Sequence, residues 1–106
     1  MLDKISSCFA REAVHYSGHA RREMRTEPFG KISENEVREA VLSGQVIKEY
    51  PEDKPHPSIL ILGFTSNRRP IHLVAAHDPD EDQAVVVTAY EPTPELWYEL
   101  RRRRRE

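Results

Sequence analysis

Paired cysteines, long apolar runs and a high aromatic content are all missing from this 106-residue chain. Its single cysteine, Cys8, allows no intrachain disulfide and favours a reducing compartment. No apolar run approaches the roughly 20 residues that span a bilayer, and no basic-then-apolar leader begins the chain. The length allows one domain with one core, and hardly more. We therefore expect a single cytoplasmic domain with no membrane contact.

Positive charge is scarce in the body of the chain. Residues 101–106 hold five of the 16 Lys and Arg residues and one of the 18 acidic residues, so the remainder has 11 basic and 17 acidic residues and a net charge of −6. Such a body excludes a generic polyanion binder, although Arg21, Arg22 and Arg25 form a local cluster that can bind phosphate. We expect one domain over residues 1–100 and a basic C-terminal tail over residues 101–106.

Helical spacing is clear in the first part of the chain. Apolar residues recur at helical intervals from Leu2 to His15, which predicts an N-terminal helix. Ser17 is placed to cap a second helix, from His19 to about Thr26. The segment Ser33-Glu34-Asn35-Glu36 fits a capping box at the start of a third helix, and Gly44 is expected to form its left-handed C-terminal cap.

Four apolar segments rich in β-branched residues follow these helices. The last three predict strands covered on both faces, although pattern alone leaves a buried helical segment open, whereas in the first Val46 alternates against Ile47. The order of elements implies an α+β domain, with two to three N-terminal helices packed on one face of a four-stranded, mainly antiparallel sheet. Pro92-Thr93-Pro94 is expected to start a final helical turn that docks Leu96 and Trp97. The four strand segments are Gln45 to Tyr50, Ser58 to Phe64, Ile71 to Ala76 and Ala84 to Ala89.

Three polar side chains, His72, Thr88 and Tyr90, interrupt the apolar strands. A polar group inside a small sheet costs free energy unless it is hydrogen-bonded, so each one needs a structural or a functional reason. The ordinary explanation for His72 is a satisfied sheet histidine. For Tyr90 it is a half-buried ring with its hydroxyl in water. Both explanations stay open beside a functional one.

An ordered series of short motifs runs from residue 16 to residue 98. Each motif is weak alone, but the ordered set resembles a family of short bacterial domains of unknown function assigned to the RelE/ParE-like toxin superfamily. In chain order the motifs are Tyr16-Ser17-Gly18-His19-Ala20, Ile32-Ser33, Glu36-Val37, Gly44, Tyr50-Pro51-Glu52-Asp53, Pro57-Ser58, Leu62-Gly63, Arg69-Pro70-Ile71-His72-Leu73-Val74 and Thr88-Ala89-Tyr90-Glu91-Pro92, followed by Trp97.

The resemblance implies a fold similar to the microbial ribonucleases and a toxin that cleaves mRNA, encoded beside an antitoxin that occludes it. Metal-independent RNA cleavage needs a base for the 2′-hydroxyl, an acid for the leaving oxygen and cations at the phosphate. His19, His72 and Tyr90 are the candidate proton-transfer residues, since the ordinary pKa of histidine lies near neutrality. No metal ion or cofactor is expected. The expected RNA contacts are Arg21, Arg22, Arg25, Arg69, Arg101 and Arg102.

The chain departs from the family pattern next to the basic cluster. Relatives commonly have an arginine just before the methionine of the second helix, where Glu23 precedes Met24 here. The segment from Thr26 to Lys31 also looks longer than usual. These departures, with the acidic body, favour an alternative function: a non-catalytic protein-binding module of the same fold that uses its sheet edge or its arginine tail.

Other candidate groups have ordinary explanations. His15 and His19 have the spacing of a helical metal pair, but Ser17-Gly18 breaks the helix between them and no third ligand is evident. The acidic segment from His77 to Asp82 matches no complete calcium motif and predicts a solvated hairpin turn. Cys8 faces the apolar side of the first helix, which is typical of a core thiol.

Overall fold

The computed structural model of the protein describes residues 1–93 and, beyond them, the backbone of residues 97–98 and 102–103. It confirms an α+β arrangement in which three helices precede the long strands. The elements are α1 (Leu2–Ala10), β1 (Val14–Tyr16), α2 (Gly18–Arg25), α3 (Glu34–Leu42), β2 (Gln45–Tyr50), β3 (Ser58–Phe64), β4 (Pro70–Asp78), β5 (Gln83–Tyr90), β6 (Trp97–Tyr98) and β7 (Arg102–Arg103).

The main sheet has five strands in the order β1-β5-β4-β3-β2. Strands β2 to β5 form the predicted antiparallel meander. Strand β1 adds a fifth member that runs parallel to β5, pairing Val14 with Ala84 and Tyr16 with Val86. The predicted four-stranded sheet is therefore corrected to a five-stranded mixed sheet.

The first helix is shorter than its apolar spacing predicts. Helix α1 ends at Ala10, and residues 14–16 form strand β1 instead of a last helical turn. Glu12 takes a positive φ of 60°, and the N–H of Ala13 donates to the carbonyl of Cys8 at 2.8 Å. The chain leaves the helix there and pairs with β5, because the tertiary hydrogen bonds of a strand outweigh a weak helical preference.

Both predicted N-terminal caps are confirmed. The hydroxyl of Ser17 accepts the N–H of Ala20 at 3.0 Å and starts α2. The hydroxyl of Ser33 accepts the N–H of Glu36 at 3.1 Å, while the Glu36 carboxylate accepts the N–H of Ser33 at 2.9 Å. These bonds satisfy donors that the first turn of a helix leaves open, so local sequence alone defines where α2 and α3 begin.

Gly44 has a role different from the predicted left-handed cap. The residue that caps α3 is Ser43, and Gly44 has no positive φ. A Cβ atom at Gly44 would lie 2.5 Å from the side chain of Ile61 and 2.6 Å from the carbonyl oxygen of Ala40. A Cβ at Gly63 would meet the Ala40 backbone more closely still. These two glycines are needed because α3 packs directly on β3.

Both faces of the central strands are buried, as the apolar segments predicted. The face toward the helices carries the main core, which includes Leu73 and Val86. The opposite face buries Leu60, Leu62 and His72. His72 and Leu73 are neighbours in β4, and successive side chains of a strand point to opposite faces. His72 therefore lies on the face of the sheet that the helices do not cover.

The helical turn predicted after β5 lies mostly outside the described residues. Residues 94–96 of that turn, including Leu96, lie outside the described residues. The backbone of Trp97 belongs to β6, which pairs with β7. The backbone of Trp97 is therefore in a strand and not in the predicted helical turn.

The loop over residues 51–57 is exposed, as predicted, apart from a half-buried His56. Within the described part of the chain, no helix is both long enough and apolar enough to cross a membrane.

Candidate functional site

His72 and Tyr90 lie directly opposite each other on β4 and β5. Nδ1 of His72 is 3.2 Å from the hydroxyl oxygen of Tyr90, and the two rings meet edge to face with their centroids 5.4 Å apart. The register explains this contact, because directly opposed residues project on the same face of a sheet. The structure thus brings together two of the three predicted catalytic residues.

The two partners differ in their exposure. His72 has no exposed surface, whereas Tyr90 is partly exposed at the end of β5. A fully buried imidazole does not touch a bound substrate, so His72 contacts the phenol from within the protein. This geometry suits a residue that orients Tyr90 more than one that exchanges a proton with RNA.

His19 approaches the same strand from α2. Its Nε2 atom lies 3.6 Å from Oε1 of Glu23, one helical turn further on, and 63% of its side chain is exposed. The same carboxylate oxygen accepts the hydroxyl of Thr88 and, at 3.0 Å, the N–H of Ala89. His19 is therefore connected through Glu23 to the end of β5 that carries Tyr90.

Glu23 is the site residue that the sequence analysis treated only as a departure from the family. Its carboxylate binds the edge of β5 just beyond Ser17, whose N–H and hydroxyl donate to the carbonyls of Val86 and Val87 at 3.0 and 2.9 Å. The sequence could have pointed to Glu23 through its position in α2, which is one turn after His19 and between Ala20 and Met24, both of them buried. An acidic residue on that part of the helix is well placed to face the sheet.

The three arginines of α2 divide into two groups. Nη1 of Arg21 donates to Glu34 at 3.0 Å, and the guanidinium lies 5.1 Å from the ring centroid of Tyr16. Burial, with the charge of Glu34, raises the pKa of Tyr16 to about 12. Arg22 and Arg25 are exposed, and neither forms an ion pair within the described residues. Their charge therefore faces solvent on the helix that carries His19.

Arg69, one of the predicted RNA contacts, is engaged by the protein itself. Its Nε atom donates to Glu91 at 2.6 Å, and its Nη1 donates to Glu36 at 3.1 Å and to the carbonyl of Lys31 at 3.0 Å. Its Nη2 donates to the carbonyl of Gly30. Only 17% of the side chain is exposed. Arg69 therefore links β4 to α3 and to Glu91, and its predicted contact with RNA stays a prediction.

The ion pairs of Arg69 change its pKa. Burial lowers the pKa of Arg69, but the bonds to Glu91 and Glu36 outweigh that effect and leave the pKa above its ordinary value. Burial also raises the pKa of Glu36, but the hydrogen bond from the N–H of Ser33 and the charge of Arg69 lower it overall. The same carboxylate thus caps α3 and holds the turn before β4.

The remaining predicted residues are not brought to the site by any described contact. Arg101 lies outside the described residues, and Arg102 is described only by its backbone in β7. His15 lies in β1 and His19 in α2, so these two histidines do not share a helix.

Comparison with known proteins adds one finding. The chain matches no curated protein and no solved structure. A family model described as a domain of unknown function, DUF4258, matches residues 16–91. That range includes His19, Glu23, His72 and Tyr90 and leaves out α1 and the arginine tail. This chain is therefore a member of the DUF4258 family.

Proposed function

We propose that this protein is a RelE-like toxin of a toxin–antitoxin pair, a metal-independent endoribonuclease that acts on mRNA. The observation that carries the proposal is the contact between the buried His72 and the partly exposed Tyr90, at the end of a strand that α2 joins through Glu23. In support, Glu23 connects the exposed imidazole of His19 to the strand end that carries Tyr90, and Arg22 and Arg25 of the same helix are exposed.

The proposed reaction uses two proton transfers. His19 takes the proton of the RNA 2′-hydroxyl, whose oxygen attacks the adjacent phosphorus. Tyr90 donates its proton to the departing 5′-oxygen as the bond from phosphorus to that oxygen breaks. The products are a cyclic phosphate and a free 5′-hydroxyl. His72 acts as a positioning residue, because its ring fixes the phenol and has no exposed surface.

Exposed arginines supply the charge at the phosphate. Arg22 lies about one turn after His19 on α2 and Arg25 about one turn after Arg22, and both are exposed, whereas Arg21 is held by Glu34. We propose Arg101 and Arg102 of the tail as further RNA contacts, because an arginine run attracts phosphate without specific positioning. An antitoxin that covers this end of the sheet would block both the chemistry and the charge.

Cleavage of single-stranded RNA by the purified protein in the presence of EDTA tests the proposal. We expect products with cyclic-phosphate or 3′-phosphate ends. Tyr90→Phe and His19→Ala should each slow cleavage by about 100-fold or more, since each removes a proton-transfer group. Tyr50→Phe is the matched control, because it deletes the same hydroxyl from a tyrosine on the far edge strand, and it should cleave normally. Equal rates for Tyr90→Phe and Tyr50→Phe would contradict the assigned role.

A second pair of variants separates positioning from packing at His72. His72→Gln keeps a group that can hydrogen-bond to the Tyr90 hydroxyl, whereas His72→Leu keeps only volume. We expect the glutamine variant to retain more activity than the leucine variant at equal folded fraction, with a pH profile of cleavage closer to that of the native protein. Identical losses in both variants would leave His72 with a packing role alone.

One observation favours the alternative, a non-catalytic protein-binding module. β2 is an edge strand of the described sheet, and its surroundings expose Val46, Phe64 and Leu42. An exposed edge strand can accept a strand from a partner. The alternative holds if the native protein neither cuts RNA nor arrests growth on induced expression, yet binds a specific protein that Val46→Lys no longer binds.

A further inference from the structure

Three metal-ligating side chains from distant parts of the chain meet between α1 and the turn after β4. They are Cys8 of α1, His77 near the end of β4, and Asp82 just before β5. Their ligand atoms all lie within 4.8 Å of one another. Nε2 of His77 is 2.9 Å from Oδ1 of Asp82, and the thiol of Cys8 donates to the Asp82 carbonyl at 3.7 Å.

This donor set has the chemistry of a zinc site. Thiolate, imidazole and carboxylate are the three side-chain ligand types of protein zinc, at about 2.0 to 2.3 Å from the metal. Tetrahedral coordination at those lengths needs ligand atoms about 3.5 Å apart, so the observed cluster must close by about an ångström. Asp82 lies in an exposed turn and has few packing contacts to lose, so we expect its side chain to make this movement.

A positive charge already lies among these ligands. Nη2 of Arg11 is 3.3 Å from the sulfur of Cys8 and 3.3 Å from Oδ2 of Asp82. The Arg11 side chain is 48% exposed and borders an open groove of about 640 Å³. The guanidinium can therefore swing into solvent and leave the thiol and the carboxylate to another cation. Residues lining this groove are Asp3, Lys4, Ser7, Arg11, His77 and Asp82.

We propose that Cys8, His77 and Asp82 form a zinc-binding site in which the fourth coordination position is open. In the absence of metal, the Arg11 guanidinium takes the place of the cation among these ligands. Metal binding releases the thiol proton of Cys8 to solvent, shifts the proton of His77 from Nε2 to Nδ1 so that Nε2 can bind the metal, and displaces the guanidinium. The metal would tie α1 to the turn between β4 and β5. The cluster therefore has two states, one with the Arg11 guanidinium among the ligands and one with a metal ion.

The protonation of the ligands agrees with this geometry. The hydrogen bond from His77, with the charge of Arg11, lowers the pKa of Asp82 below its ordinary value, so the carboxylate is ready to bind a cation. Burial raises the pKa of Cys8, which keeps the thiol protonated until a metal replaces the proton.

The proposed zinc site is independent of the proposed ribonuclease site. His77 lies five residues along β4 from His72, a separation of about 16 Å, and the two side chains lie on opposite faces of the sheet. Cys8 and Arg11 also lie outside residues 16–91, which match the family. EDTA would empty the zinc site and leave His19 and Tyr90 unchanged, so failure of one proposal does not imply failure of the other.

Titration with Co²⁺ tests the site, because Co²⁺ replaces Zn²⁺ and reports its ligands through absorption. We expect a thiolate-to-cobalt charge-transfer band and the d–d bands of tetrahedral cobalt, both abolished by equimolar Zn²⁺. Cys8→Ser should lose the charge-transfer band. His77→Ala and Asp82→Asn should each raise the dissociation constant at least about tenfold, since each removes a ligand.

Two further variants are expected not to weaken Co²⁺ binding. Arg11→Gln should bind Co²⁺ more tightly than the native protein, because the competing cation is gone. His56→Ala is the matched control: His56 also pairs with a carboxylate, Asp78, at 3.7 Å but has no thiol near it, and its loss should leave binding unchanged.

The proposal is overturned if the native protein shows no charge-transfer band, or if the Cys8→Ser variant binds Co²⁺ as the native protein does. Because Cys8 is buried, Cys8→Ser risks unfolding, so circular dichroism of each variant is measured alongside. Asp82→Asn keeps the test valid in that case, since Asp82 is exposed and its substitution leaves the core intact. Unchanged Co²⁺ affinity in a folded Asp82→Asn protein would equally reject the site.

Discussion

The two ends of β4 use polar side chains in opposite ways. At its start, His72 is fully buried against Tyr90, and Arg69 just before the strand is largely buried between carboxylates and backbone carbonyls. At its end, His77 pairs with Asp82, and that carboxylate is 65% exposed. Both ends hold an imidazole and an arginine–carboxylate pair, yet the carboxylates differ, since Glu36 and Glu91 at the first end are only 25% and 19% exposed.

This difference shows how burial decides what a polar cluster does. At the buried end, desolvated groups must keep their partners, because an unpaired polar group in the interior costs free energy. At the exposed end, water replaces a lost partner at little cost, so side chains can change partners. The buried end therefore holds the fold and positions Tyr90, while the exposed end has the freedom to take up a ligand.

Loss of Arg69 is the largest expected effect and tests the buried end directly. Arg69→Met should lower the free energy of unfolding by about 3 to 5 kcal/mol, because it leaves the carboxylates of Glu36 and Glu91 without their cation. Urea unfolding measures the change. Arg11→Met is the matched control at the exposed end, where no resolvable loss is expected. Equal losses for both variants would remove the contrast between the two ends.

The two histidines give the next comparison, with a smaller expected effect. His72→Ala should destabilise by about 2 kcal/mol, since it opens a cavity beside Tyr90 in a face that is otherwise buried. His77→Ala should cost less, because its partner Asp82 remains hydrated. Both values come from the same unfolding assay. A larger loss for His77→Ala would show that the α1 end of the sheet depends on its polar groups after all.

Acid should weaken the buried end by the smallest of the three effects. The pKa of Glu36 is lower in the folded state than its ordinary value of 4.5, so the unfolded chain binds this proton first as the pH falls. Its stabilising contribution is therefore present above pH 4.5 and is lost as the pH falls through the folded pKa. Thermal midpoints measured between about pH 6 and pH 3 should fall less steeply in Arg69→Met than in the native protein. Parallel curves would contradict this coupling.

Much of the fold was predictable from the sequence, because its signals are local. Ser17 and Ser33 cap helices through bonds to residues three positions away, and those bonds form wherever the helix forms. The bounds of β3 match the predicted segment, because an apolar run between two polar turns must be buried along its whole length. Likewise, the meander of β2 to β5 follows from short turns between such runs.

The errors in the predicted fold arose where distant residues compete with local preference. Residues 14–16 have the spacing of a helix but pair in parallel with β5, some 70 residues away. Gly44 sits where a helix cap is common, yet it is needed because Ile61 and Ala40 approach it closely. No pattern within a short window contains β5 or Ile61, so local pattern alone predicts the wrong structure at both places.

By itself, the sequence determined the three helices, two helix starts, the antiparallel meander of β2 to β5 and the choice of His72 and Tyr90 as candidates. Only the tertiary structure decided that His72 is buried, that Arg69 is already held by Glu91, and that Glu23 closes the edge of β5. It alone also brings Cys8 to Asp82. The physical reason is that hydrogen-bonded turns and caps act over a few residues, whereas burial and ion pairing depend on which distant surfaces meet.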